Sequence, residues 1–266
     1  MTALAAALLM GCATTKPGPK ESIPVVTIAP NASGIKMDSS ENHAPKNLII
    51  AGDASPDIPS GVTISIAQIP PSPDAKRVFF IPASGKLQVV SLERIADYGA
   101  GSRTIAGTLP VWKSLIENPA MTDKEIRSLL YNGQLDEIPW INAGRCFHAK
   151  LRRLTFPWGR AVLFLTCYVQ GPGNGLANDD LVLTIQGFTN DGRYAVNGRF
   201  DIHHPKLTGP WPKRPFKKGM VEFDFDNQDG KAEAWLDKQP DDSFQPTLTQ
   251  YETFLQSLQI EPPPGK

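Results

Sequence analysis

The stretch from Gly144 to Pro205 limits the possible folds more than any other part of this chain. It reads as four consecutive β-strands, roughly Cys146 to Phe156, Ala161 to Val169, Leu181 to Phe188 and Arg193 to His203. Their β-branched and aromatic residues lie between legible turns. Phe156-Pro157-Trp158-Gly159 links the first two strands, a longer loop from Gly171 to Asp180 the next two, and Thr189-Asn190-Asp191-Gly192 the last two. Asp-Gly between β-rich runs is a strong hairpin signal, because glycine accepts the positive φ that the turn demands. The centre is therefore expected to be an antiparallel sheet. No residue pattern in it, or elsewhere, forms a catalytic or ligand-binding signature.

Helices are expected on either side of this block. Leu109 to Glu117 sets Leu109, Val111, Trp112, Leu115 and Ile116 along one face, with Pro110 at its first turn. Thr122 caps Asp123 to Tyr131, whose acidic first turn suits the macrodipole, and Ile126, Leu129 and Leu130 supply the buried stripe. Gly230 to Leu236 reads as a short helix. In Thr247 to Ile260, Leu248, Tyr251, Leu255 and Leu258 recur at helical spacing, which suggests a helix laid across a sheet face. Gly61 to Ile69, Arg77 to Ile81 and Leu87 to Val90 are further strands, and Ser91 to Ile95 one or two helical turns. The fold class is α+β, an antiparallel β-sheet with flanking helices. At 266 residues the chain can bury one substantial core, so residues 61–260 are expected to form a single domain. Lys plus Arg equals Asp plus Glu at 27 each, which removes any global electrostatic case for nucleic acid.

The N-terminus has a different character. Met1 to Cys12 is a short apolar run ending in Leu9-Met10-Gly11-Cys12, and it resembles the end of a bacterial lipoprotein signal peptide with its lipobox. The run lacks a preceding Lys or Arg and is short for a full signal; a start codon assigned too far downstream accounts for both. A membrane-spanning helix needs about 20 apolar residues. The resemblance implies cleavage before Cys12, lipidation of Cys12, and anchoring on the extracytoplasmic side of a bacterial membrane, stable when more than one acyl chain is attached. Residues 13–60, rich in Pro, Ser, Thr, Lys and Asn, are expected to form a disordered tether. Within them, Ile23 to Ile28 and Leu48 to Ile50 are β-prone islands able to add an edge strand. Residues 261–266 are a proline-rich tail.

Three blocks, Gly159 to Pro172 (GRAVLFLTCYVQGP), Ile185 to Leu207 (IQGFTNDGRYAVNGRFDIHHPKL) and Phe244 to Leu258 (FQPTLTQYETFLQSL), resemble an uncharacterised family of bacterial lipoproteins. That resemblance covers the second half of the chain and implies a lipid-anchored domain without supplying an activity. A looser similarity, at the level of fold alone, is to the PsbP and Mog1 group, an antiparallel sheet sandwiched with helices; an accessory role of photosynthetic or assembly type rests on it alone.

Several residues invite a chemical reading. Asp201 and His203 share a strand face beside His204, at a spacing that metal sites use, but His43 and His148 lie elsewhere, so a polar strand end explains them better. Asp224 to Gly230 is similar to a calcium loop, yet its glycine is one place late and Trp235 stands where glutamate is required. Cys146 and Cys167 suit a disulfide in an oxidising compartment. A turn centred on Pro157 to Gly159, however, pairs Cys167 with Ala149 or Lys150, leaving Cys146 about 10 Å or more away unless a bulge near Arg152-Arg153 shifts the register. Arg145, Lys150, Arg152, Arg153 and Arg160 make the first hairpin basic with Trp158 at its tip, which reads as a contact for anionic lipid or as a charged edge. The expected function is a non-catalytic binding or structural module of the cell envelope. Its partner is an envelope protein or a cell-wall ligand, engaged through Gly171 to Asp180 and Lys206 to Gly219. The alternative is a hydrolase acting on an envelope substrate through Asp201, His203 or His204. No cofactor is expected.

Overall fold

The computed structural model describes residues 25–28, 36–42, 61–68, 85–93, 102–131, 135–138, 143–169, 176, 180–207 and 230–261. The chain is an α+β protein built on a seven-stranded antiparallel sheet. Its strands are β2 (Lys36–Asn42), β3 (Gly61–Gln68), β4 (Gly85–Ser91), β6 (Ala149–Phe156), β7 (Gly159–Thr166), β9 (Val182–Thr189) and β10 (Tyr194–Asp201), in the order β2-β3-β4-β10-β9-β7-β6. Two short ribbons adjoin it. One joins β1 (Val25–Ile28) to β11 (Leu258–Glu261), the other β5 (Gly144–Arg145) to β8 (Tyr168–Val169). The four strands expected from 144–205 are present, and β4 and β3 extend them in register. The segment 13–60 contributes β1, on the island at Ile23 to Ile28, and β2. The runs Arg77 to Ile81, Leu48 to Ile50 and Met220 to Phe225 lie outside the described residues.

Helices cover both faces of the sheet. On one, α1 (Ser102–Glu117) and α2 (Asp123–Tyr131) bury Ile105, Trp112, Leu115, Ile126 and Leu130 against Val90, Val162, Phe164, Phe188 and Ala195. On the other, α3 (Lys231–Asp237) and α4 (Leu248–Gln256) bury Ala232, Leu236, Tyr251, Phe254 and Leu255 against Leu87, Leu163, Ile185, Val196 and Phe200. The strands alternate between these two cores, as a period of two requires. Capping follows the sequence. Thr122 and Glu125 close a reciprocal box at α2, with Glu125 N donating to Thr122 Oγ1 (3.3 Å) and Thr122 N to Glu125 Oε2 (2.7 Å). Thr247 and Gln250 do the same at α4. Helix α4 ends at Gln256, so Leu258 begins a strand instead of completing the helical stripe. Pro110 lies inside α1, not at its first turn. The carbonyl that its missing N–H leaves unpaired belongs to Ala106, on the exposed side together with Gly107 and Pro110. Among the described residues no helix is long and apolar enough to cross a membrane.

The β6–β7 hairpin turns inward. Trp158 is buried, stacks on Phe156 at 5.0 Å and donates from Nε1 to the Leu255 carbonyl (2.8 Å), so it is no exposed tip. The hairpin's turn docks on the β9–β10 turn, where Asn190 N and Nδ2 donate to the Trp158 and Pro157 carbonyls (3.0 and 2.9 Å). Gly159 makes this approach possible, since a Cβ there would lie 2.0 Å from the Phe188 carbonyl oxygen. Gly159→Ala is expected to cost about 3 kcal/mol, the upper range for overpacking, because a sheet backbone must move to admit it. Urea unfolding checks this, and an unchanged midpoint would remove the argument.

The edge strand β6 is sealed by charge. It slips register between Ala149 and Arg152, with Lys150 at φ 54. Backbone N–H groups there find carboxylates of α3: His148 N donates to Glu233 Oε2 (2.8 Å) and Lys150 N to Asp237 Oδ1 (2.6 Å). Arg152 pairs with Asp241 and with Glu252 (2.6 Å), and Arg153 donates to the Asn118 and Met121 carbonyls. Burial pushes the Asp241 carboxyl up, but Arg152 and Lys150 outweigh it and hold it below its usual range. The basic hairpin is thus a covered edge whose cations, Arg160 excepted, are engaged within the molecule.

Candidate functional site

The sheet face beneath α1 and α2 is half apolar and half polar. The polar half runs across three strands: Gln88 faces Asn197, which faces Gln186, and one step along Arg199 faces Thr184. Gln88, Thr184, Gln186 and Asn197 are all buried. The lid over them is an irregular strap, Leu135 to Ile138, whose two apolar ends are fully buried and whose middle carries Glu137, 2% exposed. Backbone bonds fasten the strap: Trp112 Nε1 donates to the Asp136 carbonyl (2.7 Å), Arg145 to the Leu135 carbonyl, and Ile138 N to Gln186 Oε1 (3.0 Å).

Glu137 is the hub of this layer. Its Oε1 accepts from the Tyr168 hydroxyl and its Oε2 from Asn197 Nδ2 (3.2 Å), with Arg199 Nε 4.0 Å away. Tyr168 also reaches Thr184 Oγ1 (2.9 Å). Burial, and then the Glu137 carboxylate, push the Tyr168 phenol well above its usual range, so it serves as a donor.

The two amide orientations are forced by chemistry. A carboxylate only accepts, so Asn197 must turn Nδ2 toward Glu137; a backbone N–H only donates, so Gln186 must turn Oε1 toward Ile138. Asn197 Nδ2 then also meets Gln186 Oε1 (3.2 Å). What remains is a buried donor, Gln186 Nε2, and a buried acceptor, Asn197 Oδ1, on adjacent strands with no partner among the described residues. Arg145 Nη1, where the strap begins, is a second such donor. This set can bind a neutral group that both donates and accepts.

The residues singled out from sequence fall elsewhere. His204 is buried between Trp235 and Phe244, at 4.8 and 5.1 Å between ring centres. Its Nδ1 accepts from Lys206 N (3.3 Å), so the proton sits on Nε2, which points at Ser243 Oγ (3.1 Å) while that hydroxyl donates to the Pro240 carbonyl (2.6 Å). A nucleophile–base pair needs the opposite polarity, with the imidazole accepting from serine and an acceptor behind its other nitrogen. Burial, then Lys206, lowers the His204 pKa to about 4. His203 pairs through its backbone with Gln245 (2.8 Å both ways), and the Asp201 carbonyl accepts from the Tyr251 hydroxyl (2.5 Å). His148 lies on the opposite sheet edge from β2, under α2, edge-on to Tyr131 and Phe164. No group of three potential metal ligands occurs among the described residues. Cys12, His43 and Asp224 to Asp229 lie outside them. So does most of the two loops expected to meet a partner, of which Leu176 and Leu207 are core residues.

Sequence reasoning passed over Glu137, Gln186 and Asn197. Their signal was available: Thr184, Gln186 and Asn197 are neutral polar residues in otherwise apolar strands, where a solvated face more often carries charge. The fold and this layer define a class, an α+β protein with helices on both faces of one antiparallel sheet and a buried amide–carboxylate floor under an irregular strap. Comparison of the chain with protein-family models, curated proteins and solved structures finds no match in any of the three.

Proposed function

We propose that the protein is a lipid-anchored, extracytoplasmic binding module of the bacterial cell envelope, non-catalytic, with the floor under the 135–138 strap as its recognition site. The observation that carries the binding reading is the pair of forced amides. Gln186 Nε2 and Asn197 Oδ1 are buried on paired residues of adjacent strands and together complement a hydroxyl or amide, the groups that cell-wall glycans and peptides present. The anchoring reading rests on Leu9-Met10-Gly11-Cys12. The donor polarity at His204 and Ser243 speaks against a hydrolase built on those residues.

Two measurements test it. Cells fed an alkyne-bearing palmitate analogue are expected to label the wild-type chain and not Cys12→Ser; an unlabelled wild type ends the anchor. Soluble muropeptides titrated into purified protein and followed by calorimetry are expected to bind saturably, and at least tenfold more weakly to Gln186→Met once circular dichroism shows that variant folded. Equal affinity, or no binding by the wild type, would sink the recognition site.

A further inference from the structure

The register slip in β6 has brought the two core cysteines together. Between Phe156–Gly159 and Leu154–Ala161 the β6–β7 ladder keeps one register, and continuing it unbroken would set Cys167 opposite His148. The irregularity between Arg152 and Ala149 takes up one extra residue on the β6 side, and a second is taken up between Ala149 and the β5–β8 ribbon. By the β5–β8 ribbon Arg145 faces Tyr168, and the next pair is Cys146 opposite Cys167, joined by Cys146 N donating to the Cys167 carbonyl (3.1 Å). Cα atoms of a facing antiparallel pair lie roughly 4.5–5.5 Å apart, inside the span of about 4.4–6.8 Å that a disulfide bridges. Both side chains enter the same core, under α3 and α4: Cys167 is buried there and Cys146 packs against it. Both are free thiols in this structure.

We infer that Cys146 and Cys167 form a disulfide across this ribbon when the protein meets a disulfide-bearing oxidant. The reaction is thiol–disulfide exchange. Cys146 is the half-exposed member of the pair, so its thiolate attacks one sulfur of the oxidant and expels the first thiolate. Cys167 then attacks Cys146 Sγ in the mixed disulfide and expels the second. Two protein S–H bonds and the oxidant's S–S bond are lost; one protein S–S bond and two small thiols are gained, with both electrons passing to the oxidant. The bridge fastens the ribbon whose other face presents Arg145 and Tyr168, so it fixes one wall of the Glu137 layer from behind. It also closes a loop around the entire β6–β7 hairpin, which restricts the unfolded chain.

The test uses the full chain as Cys12→Ser, which leaves these two cysteines alone. After incubation with oxidised glutathione, unfolding in denaturant and alkylation, mass spectrometry is expected to find neither cysteine alkylated and a single linked peptide pair, with both alkylated after reduction. The oxidised form should melt roughly 5–10 °C above the reduced form of the same protein. Two alkylated cysteines after oxidation, or glutathione left on Cys146 alone, would overturn the inference. So would a bridge that leaves the melting temperature unchanged, as regards its structural role. Because oxidised and reduced forms of one chain are compared, no core substitution has to fold. Muropeptide binding is measured separately, so failure there leaves this result standing.

Discussion

Lowering the pH from 7 to 4 should strip this protein of most of its stability, and His148 should account for about half of the loss. His148 is fully buried, both ring nitrogens lack a partner among the described residues, and Arg145 and Arg127 stand close by. Burial first, and then those two guanidinium groups, lower its pKa to about 3. His204 falls to about 4 through burial and Lys206. In the unfolded chain both titrate near 6.5. Between pH 6.5 and 4 the unfolded state therefore binds protons that the folded state refuses. The stability these neutral imidazoles contribute is intact above about pH 6.5 and drains away as pH falls through 4 and then 3. Each unit of separation is worth about 1.4 kcal/mol, so the two together withdraw roughly 5–8 kcal/mol, comparable to the whole stability of an ordinary domain. Denaturant unfolding at a series of pH values checks this. His148→Leu, which removes two orphaned nitrogens at similar volume, should be neutral or stabilising by about 1 kcal/mol at pH 7 and should lose roughly half of the acid slope. A wild-type stability that is flat from pH 7 to 4.5 would contradict the argument.

The parts of this molecule that could be read from sequence are those decided by neighbours in the chain. The β9–β10 hairpin follows from Asn190-Asp191-Gly192, with Gly192 at φ 67. The start of α2 follows from Thr122 and Glu125, that of α4 from Thr247 and Gln250. Residues decided by distant partners were read less well. Trp158 looked like a hairpin tip because it sits in the Pro157 to Gly159 turn between two strands; its burial is set by Leu255, far along the chain. Cys146 and Cys167 looked too far apart because a bulge at Lys150, stabilised by Asp237 and Asp241, leaves no local mark beyond an imperfect alternation. The Glu137 layer was hidden for the same reason. Alternation in Leu183-Thr184-Ile185-Gln186 shows a two-sided strand, but whether its polar side meets water or a strap depends on Leu135 and Ile138, which enter the core from outside any regular element.

Truncating Glu137 should be the most damaging single change in the polar layer. In Glu137→Ala the Tyr168 hydroxyl and Asn197 Nδ2 each lose an acceptor in a buried setting, and Arg199 loses the carboxylate 4.0 Å from it. Breaking a buried charged group's contacts costs about 3–5 kcal/mol. Glu137→Gln should be the milder variant. Turned one way its NH2 confronts Asn197 Nδ2, but turned the other its oxygen accepts from Asn197 Nδ2 and its NH2 donates to the Tyr168 hydroxyl, which passes its own hydrogen to Thr184 Oγ1. The second arrangement keeps each contact but loses the charged acceptor beside Arg199, at a cost of roughly 1–3 kcal/mol. In Glu137→Ala, by contrast, Asn197 Nδ2 keeps only Gln186 Oε1, the acceptor that holds the Ile138 N–H, so exchange of the Ile138 amide should accelerate about 10-fold beyond the global change. Hydrogen exchange by NMR reads this residue directly. If Glu137→Ala leaves both the urea midpoint and the Ile138 amide as they are in wild type, Glu137 is not the hub of the layer and the orientations argued for Asn197 and Gln186 fall with it.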